Sequence, residues 1–339
     1  MMASRTGSLP LLEVENLRVR LNTSRGPADA VRGVSFSLNR GETLGLIGES
    51  GCGKSVTAMA LMGLLPDSAV ISGSIRLGGR ELVGLPEPDY CQLRGNRISM
   101  IFQEPMTALN PMHTIGRQVA EPLRRHKGLA AAEARREAIA LLDRVGLPDA
   151  AGRASAYPHQ FSGGQRQRVT IAMALACHPD LLIADEPTTA LDGTIQRQIL
   201  DLIADLVAER GMSMILISHD LGVIAENVQR MMVMYGGSVV ENGLTAVVFA
   251  EMGHPYTQGL FRARPHLGAP KGTRLQTIAG TVPELADLPA GCVFAERCAI
   301  AEERCRNTLP PPVMVAAGHT VRCLRTDLSM ANRAGARNP

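Results

Sequence analysis

The sequence contains no tryptophan and only four tyrosines and six phenylalanines. Platforms that hold single-stranded nucleic acid rest on such rings, so that class is excluded. No apolar run reaches the ~20 residues needed to cross a bilayer as a helix. The opening stretch MMASRTGSLPLLEVENLRV carries no apolar signal segment. The expectation is a chain that stays in the cytoplasm and reaches any membrane through other proteins. Charge of one sign is also missing: the formal net charge is +3 over 339 residues, with no clustered basic face, so no nucleic-acid partner is expected. No internal repeat or low-complexity tract interrupts the chain. What is present is a 45% hydrophobic fraction, ample for a buried core. Seven cysteines in a reducing compartment argue against structural disulfides and leave metal binding or core packing.

Period-two alternation predicts strands over Leu11 to Val19 and Val31 to Leu38, with a turn at Gly26-Pro27. Thr43 to Ile47 is a short apolar strand that runs into a glycine-rich loop, and Ser55 to Leu65 then reads as a helix. That unit begins a parallel α/β sheet. Further strands are expected at Ile71 to Leu77, Ile98 to Phe102, Leu181 to Ala184 and Met214 to Ile217, with a closing hairpin around Gly236-Gly237. Helical spacing over Ala130 to Val145 and Gly163 to Cys177 suggests a mainly helical insertion, about residues 105–179. After about Ala263 prolines accumulate, four of the seven cysteines appear and periodicity fades, as in a small irregular appended module.

Gly48-Glu49-Ser50-Gly51-Cys52-Gly53-Lys54-Ser55 fits the GxxxxGK[ST] phosphate loop. Its glycines let backbone N–H groups turn inward around a phosphate, and the following helix aims its positive end at the same group. Lys54 brings a charge to the β- and γ-phosphates, and Ser55 offers a hydroxyl to Mg²⁺. Cys52 reads as a passive side chain. Leu181 to Pro187 is an apolar strand ending in Asp185-Glu186: Asp185 suits Mg²⁺ through its water shell, and Glu186 suits activation of water. His219 and Gln103 each follow a predicted strand, His219 where a γ-phosphate would lie and Gln103 where metal or water could be sensed.

Phe161-Ser162-Gly163-Gly164-Gln165 resembles the signature of ABC-type ATPases, with Phe in place of the usual Leu. With the phosphate loop, Gln103, Asp185-Glu186, Ala190-Leu191-Asp192 and His219, in that order, the likeness covers about residues 10–262. It implies a RecA-like α/β ATPase core with a parallel sheet, an antiparallel β part and an α-helical insertion. It also implies an ATP hydrolase in which the signature site of Ser162, Gly163, Gly164 and Gln165 closes on nucleotide held by a second ATPase subunit, with Asp192 a further nucleotide-binding residue. The family usually stacks an aromatic ring on adenine near the end of the first strand. Leu17-Arg18-Val19-Arg20-Leu21 offers none, so Leu21 or the Arg20 stem is expected there.

The tail narrows the branch. Gly253-His254-Pro255-Tyr256-Thr257, Leu260, Pro283 and Gly291-Cys292-Val293-Phe294 through Arg297-Cys298 resemble the extension of dipeptide and oligopeptide importer ATPases, first type. That likeness implies an ATPase domain at 1–262 and an extension at 263–339. It implies a related second ATPase, two integral permeases and an extracytoplasmic binding protein as partners, and a peripheral position on the cytoplasmic membrane face. Similar ATPases serve dipeptides, longer peptides, glutathione or nickel. Soluble ABC ATPases of DNA repair or translation usually carry a coiled-coil insertion or fused units, absent here. Cys292, Cys298, Cys305 and Cys323 lack the short spacing of common zinc knuckles. Four thiolates can hold a [4Fe–4S] cluster, as some members of this branch do, with zinc the alternative.

Overall fold

The structure, a computed structural model, describes residues 9–189, 191–263 and 277–327. Ala190 of the predicted Ala190-Leu191-Asp192 motif and the start of the extension lie outside the described residues.

In chain order, β1 (Leu12–Thr23) and β2 (Gly26–Leu38) precede β3 (Thr43–Ile47) and α1 (Lys54–Met62). Then come β4 (Val70–Leu77), β5 (Arg80–Glu81), α2 (Glu87–Leu93) and β6 (Ile98–Ile101). Five helices follow: α3 (Pro105–Ala108), α4 (Ile115–Lys127), α5 (Ala131–Arg144), α6 (Ala150–Arg153) and α7 (Gly163–Leu175). The chain returns through β7 (Leu181–Asp185), α8 (Gly193–Arg210), β8 (Ser213–Ser218), α9 (Leu221–Asn227), β9 (Arg230–Tyr235) and β10 (Ser238–Leu244). It ends with α10 (Thr245–Glu251), α11 (Pro255–Arg262), α12 (Glu303–Asn307), β11 (Val313–Ala316) and β12 (His319–Val321).

Two sheets result. The smaller is antiparallel, in the order β2-β1-β4-β5. The larger runs β11-β12-β10-β9-β3-β8-β7-β6, and its β9, β3, β8, β7 and β6 are mutually parallel. Successive side chains of a strand point to opposite faces, and the core divides accordingly. Leu182, Ala184, Met214, Leu216, Met231 and Val233 pack on one face with Val119 of α4, Leu142 of α5 and Ile199 of α8. Leu181, Ile183, Ile215, Ile217, Met232 and Met234 pack on the other with Leu61 of α1 and the antiparallel sheet. A strand buried on both faces reads as a continuous apolar run, which is why β7 and β8 lack alternation.

Two expectations need correction. The first turn lies at residues 24–25, two positions before Gly26-Pro27, because Gly26 already pairs with Thr23 across the hairpin. The tail is less irregular than composition suggests: β12 pairs with β10 through Glu241↔Val321 and Asn242↔Thr320, and β11 pairs with β12. This hairpin continues an existing sheet edge, so it needs little apolar periodicity of its own. Glu241, fully buried, fastens the junction. It accepts from the backbone N–H of Gly253 (2.7 Å) and His254 (2.9 Å) and lies 2.8 Å from His319 Nε2. No helix among the described residues is long and apolar enough to cross a membrane.

Candidate functional site

The parallel strands set the site. β3, β6, β7 and β8 all end at one edge of the sheet, where loops of an α/β sheet gather ligands. The loop leaving β3 turns tightly. A Cβ on Gly48 (φ 157°) would sit 2.2 Å from the Met234 carbonyl oxygen, and one on Gly53 (φ 100°) 2.6 Å from that of Ala30. Neither position tolerates a side chain, and the constraint leaves the loop's backbone free to line a cradle. Ser50 and Gly51 are exposed, whereas Cys52 is buried with its thiol pushed up by burial. Lys54, 6% exposed, reaches back across the loop; its Nζ donates to the carbonyls of Gly48 (2.8 Å) and Glu49 (3.2 Å).

Ser55 Oγ donates to Asp185 Oδ1 at 3.1 Å, joining the start of α1 to the end of β7. Burial raises the Asp185 carboxyl above the usual range, and neighbouring Glu186 pushes the same way; the Ser55 hydrogen bond and the Lys54 charge oppose both. A hydroxyl and a carboxylate are hard oxygen donors of the kind Mg²⁺ takes, so this pair fits that ion.

Glu186 follows in the left-handed region (φ 45°), with its N–H donating to the Ile217 carbonyl at 3.0 Å. This turn aims its carboxylate at the loops after β6 and β8. Glu186 Oε2 accepts from Gln103 Nε2 (3.1 Å) and Thr189 Oγ1 (3.1 Å) and lies 3.3 Å from His219 Nδ1. The structure thus brings together Gln103, Asp185, Glu186, His219, Lys54 and Ser55.

Ser162 to Gln165 and Asp192 form a second group. Ser162 and Gln165 make a reciprocal cap at the start of α7: Gln165 N donates to Ser162 Oγ (3.4 Å) and Ser162 N to Gln165 Oε1 (3.2 Å). Asp192 caps α8, accepting from Ile195 N at 3.0 Å. These two helix starts abut. A Cβ on Gly164 would lie 2.9 Å from Ile195 Cγ2, and one on Gly163 would lie 3.7 Å from Leu191 Cδ2. Ser162, Gly163 and Asp192 face solvent.

The ABC transporter profile matches residues 31–189, and the oligopeptide/dipeptide transporter C-terminal region matches 240–305. A putative peptide import ATP-binding protein of Brucella abortus (strain 2308) is 51% identical, covering 93% of this chain and 97% of its own length. The chain belongs to the ABC transporter family. The oligopeptide transport ATP-binding protein AppD of Bacillus subtilis (strain 168) is 49% identical over 92% of this chain and 96% of its own. A solved dimeric ATP-binding cassette, bound to ADP and Pi after hydrolysis, superposes with a TM-score of 0.62 at 27% identity, covering 69% of this chain and 98% of that one. Cassette CbiO1 of Clostridium perfringens gives a TM-score of 0.60 at 28% identity, covering 72% and 92%. This ABC ATPase is therefore an ATP hydrolase built on a RecA-like α/β core.

Sequence reasoning missed several residues of this ABC site. Thr189 falls between the acid pair Asp185-Glu186 and Ala190-Leu191-Asp192, and neither pattern singles it out. Tyr256 Oη accepts from Glu49 N at 2.8 Å, and the Arg297 guanidinium pairs with the Glu49 carboxylate. Both partners are more than 200 positions from the loop, and the stretches that hold them carry no sign of a link to it. At the base side, Arg20 is held by Asp29 at 2.7 Å across the hairpin, and Leu21 is half-buried.

The tail cysteines line one small cavity together with His254, Phe294 and Pro310. All four are free. Burial pushes the Cys292 thiol up to about 11 and raises Cys298 and Cys323 as well. Among the described residues no three His, Cys, Asp or Glu side chains stand close enough to hold a metal ion as they lie. Cys177 is buried as expected of a packing residue, but Cys91 is only half-buried, its thiol 3.4 Å from Glu87 Oε1.

Proposed function

We propose that this ABC ATPase powers import of peptides across a membrane. One observation supports the chemistry above the rest: a single carboxylate oxygen of Glu186, gathered by Gln103, Thr189 and His219, stands beside the Lys54–Ser55–Asp185 group at the strand ends. The peptide cargo is supported by the C-terminal region and by relatives about half identical in sequence that are named for peptide import.

In this reading the backbone of Gly48, Glu49, Ser50, Gly51, Cys52 and Gly53 and the Lys54 ammonium hold the β- and γ-phosphates of ATP. Ser55, Asp185 and Gln103 would hold Mg²⁺, which would supply neutralisation of charge on the phosphoryl oxygens. Glu186 accepts a proton from the attacking water as the new O–P bond forms and the γ-phosphoryl leaves ADP. Gln103 and His219 fix the accepting oxygen in place. The exposed Ser162, Gly163 and Asp192 and the half-buried Gly164 and Gln165 close on nucleotide held by a related second ATPase. ATP thereby favours the closed pair by its differential affinity. Residues 1–262 serve as the ATPase domain, with 105–179 as the helical contact for two integral permeases. An extracytoplasmic binding protein delivers cargo, and the ATPase sits peripherally on the cytoplasmic membrane face.

The extension, 263–339, fastens its own small core through Cys292, Cys298, Cys305 and Cys323. The four thiols line one cavity and are soft donors of the kind a [4Fe–4S] cluster takes, with zinc the alternative, though they would have to draw closer than they stand to hold either.

The deciding assay reconstitutes this chain with its sister ATPase, permeases and binding protein in vesicles and follows ATP-dependent peptide uptake. Lys54→Ala is expected to weaken nucleotide binding at least a hundredfold and to abolish uptake. Unchanged affinity in that variant would overturn the phosphate-loop assignment.

A further inference from the structure

The second residue of the phosphate loop is an acid, and this is electrostatically awkward. Glu49 stands one position from Gly48 and shares the Lys54 ammonium with it through their carbonyls. A carboxylate at the mouth of a loop shaped for phosphates repels the anion it should receive. The structure answers that charge with a residue from the far end of the chain. Arg297 Nη1 donates to Glu49 Oε2 at 2.7 Å and Nη2 to Glu49 Oε1 at 3.2 Å, a two-pronged pair.

Arg297 is itself built in. Its side chain is 5% exposed, and its Nε donates to the Ala279 carbonyl at 2.9 Å. Nη1 also reaches Tyr235 Oη at 3.2 Å, and the guanidinium carbon lies 5.7 Å from the centre of that ring. Tyr235 packs edge-on against Tyr256 (4.7 Å between centroids), whose hydroxyl accepts the Glu49 N–H at 2.8 Å. Glu49 is thus gripped at backbone and carboxylate by one aromatic-lined seat. A guanidinium placed this deep, with every prong used, is unlike the screened ion pairs of protein surfaces.

We infer that Arg297 is a positioning residue for ATP binding: it neutralises Glu49 and fixes the entrance of the phosphate loop from the C-terminal extension. The inference rests on the phosphate-loop reading above. Arg297 does not reach the reacting atoms, so its loss acts on nucleotide affinity, not on the rate of the bound complex. It also predicts an unusual pattern, because a lone Glu49 harms binding more than no charge at all.

The test is a steady-state ATPase assay on the full chain paired with its sister subunit, with melting temperature recorded for each variant. Arg297→Gln is expected to raise KM for ATP about tenfold with kcat within twofold. Arg297→Lys, which keeps the charge but loses the two-pronged pairing, is expected to fall between the parent and Arg297→Gln. The double variant Glu49→Gln with Arg297→Gln is expected to recover most of the lost affinity, which no simple packing defect would do. An unchanged KM in Arg297→Gln, a double variant as weak as Arg297→Gln, or an Arg297→Lys variant no better than it would each overturn the inference. Lys54→Ala run alongside separates the two readings. If it still binds ATP, the loop assignment falls and this inference with it. If only the Arg297 series is silent, this inference falls alone.

Discussion

Replacing Glu186 by Gln isolates the proton acceptor. Gln is isosteric, so the shape of the pocket survives, and its carbonyl can still accept from Thr189 Oγ1 and Gln103 Nε2, now 3.1 Å from Glu186 Oε2. The backbone at φ 45° carries the same cost for either residue, so stability should scarcely change. What is lost is a basic oxygen held by three neighbours, and a positioned general base contributes about 10²–10⁴ in rate, or about 3–5 kcal/mol of barrier. Phosphate release from the paired ATPase subunits, followed under single-turnover conditions, should therefore fall by about a thousandfold. Equilibrium binding of ATP should stay within about threefold, because no phosphate-binding group has been touched. Glu186→Asp makes a useful companion: it keeps the charge but draws the carboxylate back by about 1.5 Å, away from Gln103 and His219. It should lose most of the same rate. A Gln variant that hydrolyses within tenfold of the parent refutes the assignment, and so does an Asp variant with full activity.

Two further outcomes can be checked. Burial holds the His254 imidazole at about 4, against an ordinary 6.5, with Glu241 opposing the shift. The unfolded chain therefore binds the extra proton between those values, and stability is full above pH 6.5 and is lost as pH falls towards 4. From pH 7.5 to 5 this histidine alone accounts for about 2 kcal/mol; His254→Asn, which can still cap α11, should lose that much less in urea unfolding, and an equal loss in both proteins would refute the buried-neutral histidine. If the tail thiols bind a cluster, protein purified without oxygen should be brown, with about four irons per chain by the stoichiometry of such clusters, and Cys298→Ser should lose the iron. A colourless, iron-free parent protein rejects the cluster.

The strand-end edge of the candidate site was legible because each of its residues sits at a fixed step from a strand end. Glycines that need positive φ, a lysine at the mouth of a helix and acids after an apolar run all leave local marks. β7 and β8 could be read from unbroken apolar runs bounded by polar residues. Other features left none. α4 contains Pro122, which breaks the usual helical pattern, yet it forms because Ile115, Val119 and Leu123 pack into the core. β12 is a strand because β10 offers it an edge. The Arg297–Glu49 pair joins positions 248 residues apart, and so do the links of Arg25 to Glu284 (2.9 Å) and Asp287 (2.6 Å), 259 and 262 apart. Such partners are chosen by the folded topology, and spacing along the chain cannot announce them.

The grip of Arg297 on Glu49 also sets a clock. A ribosome adding roughly 5–20 residues per second makes the loop about 12–50 seconds before it makes the arginine that steadies it. During that interval the loop carries its acid without the arginine that answers it. If Arg297 positions the loop as inferred, a chain that stops short of it holds ATP about tenfold more weakly while keeping its turnover.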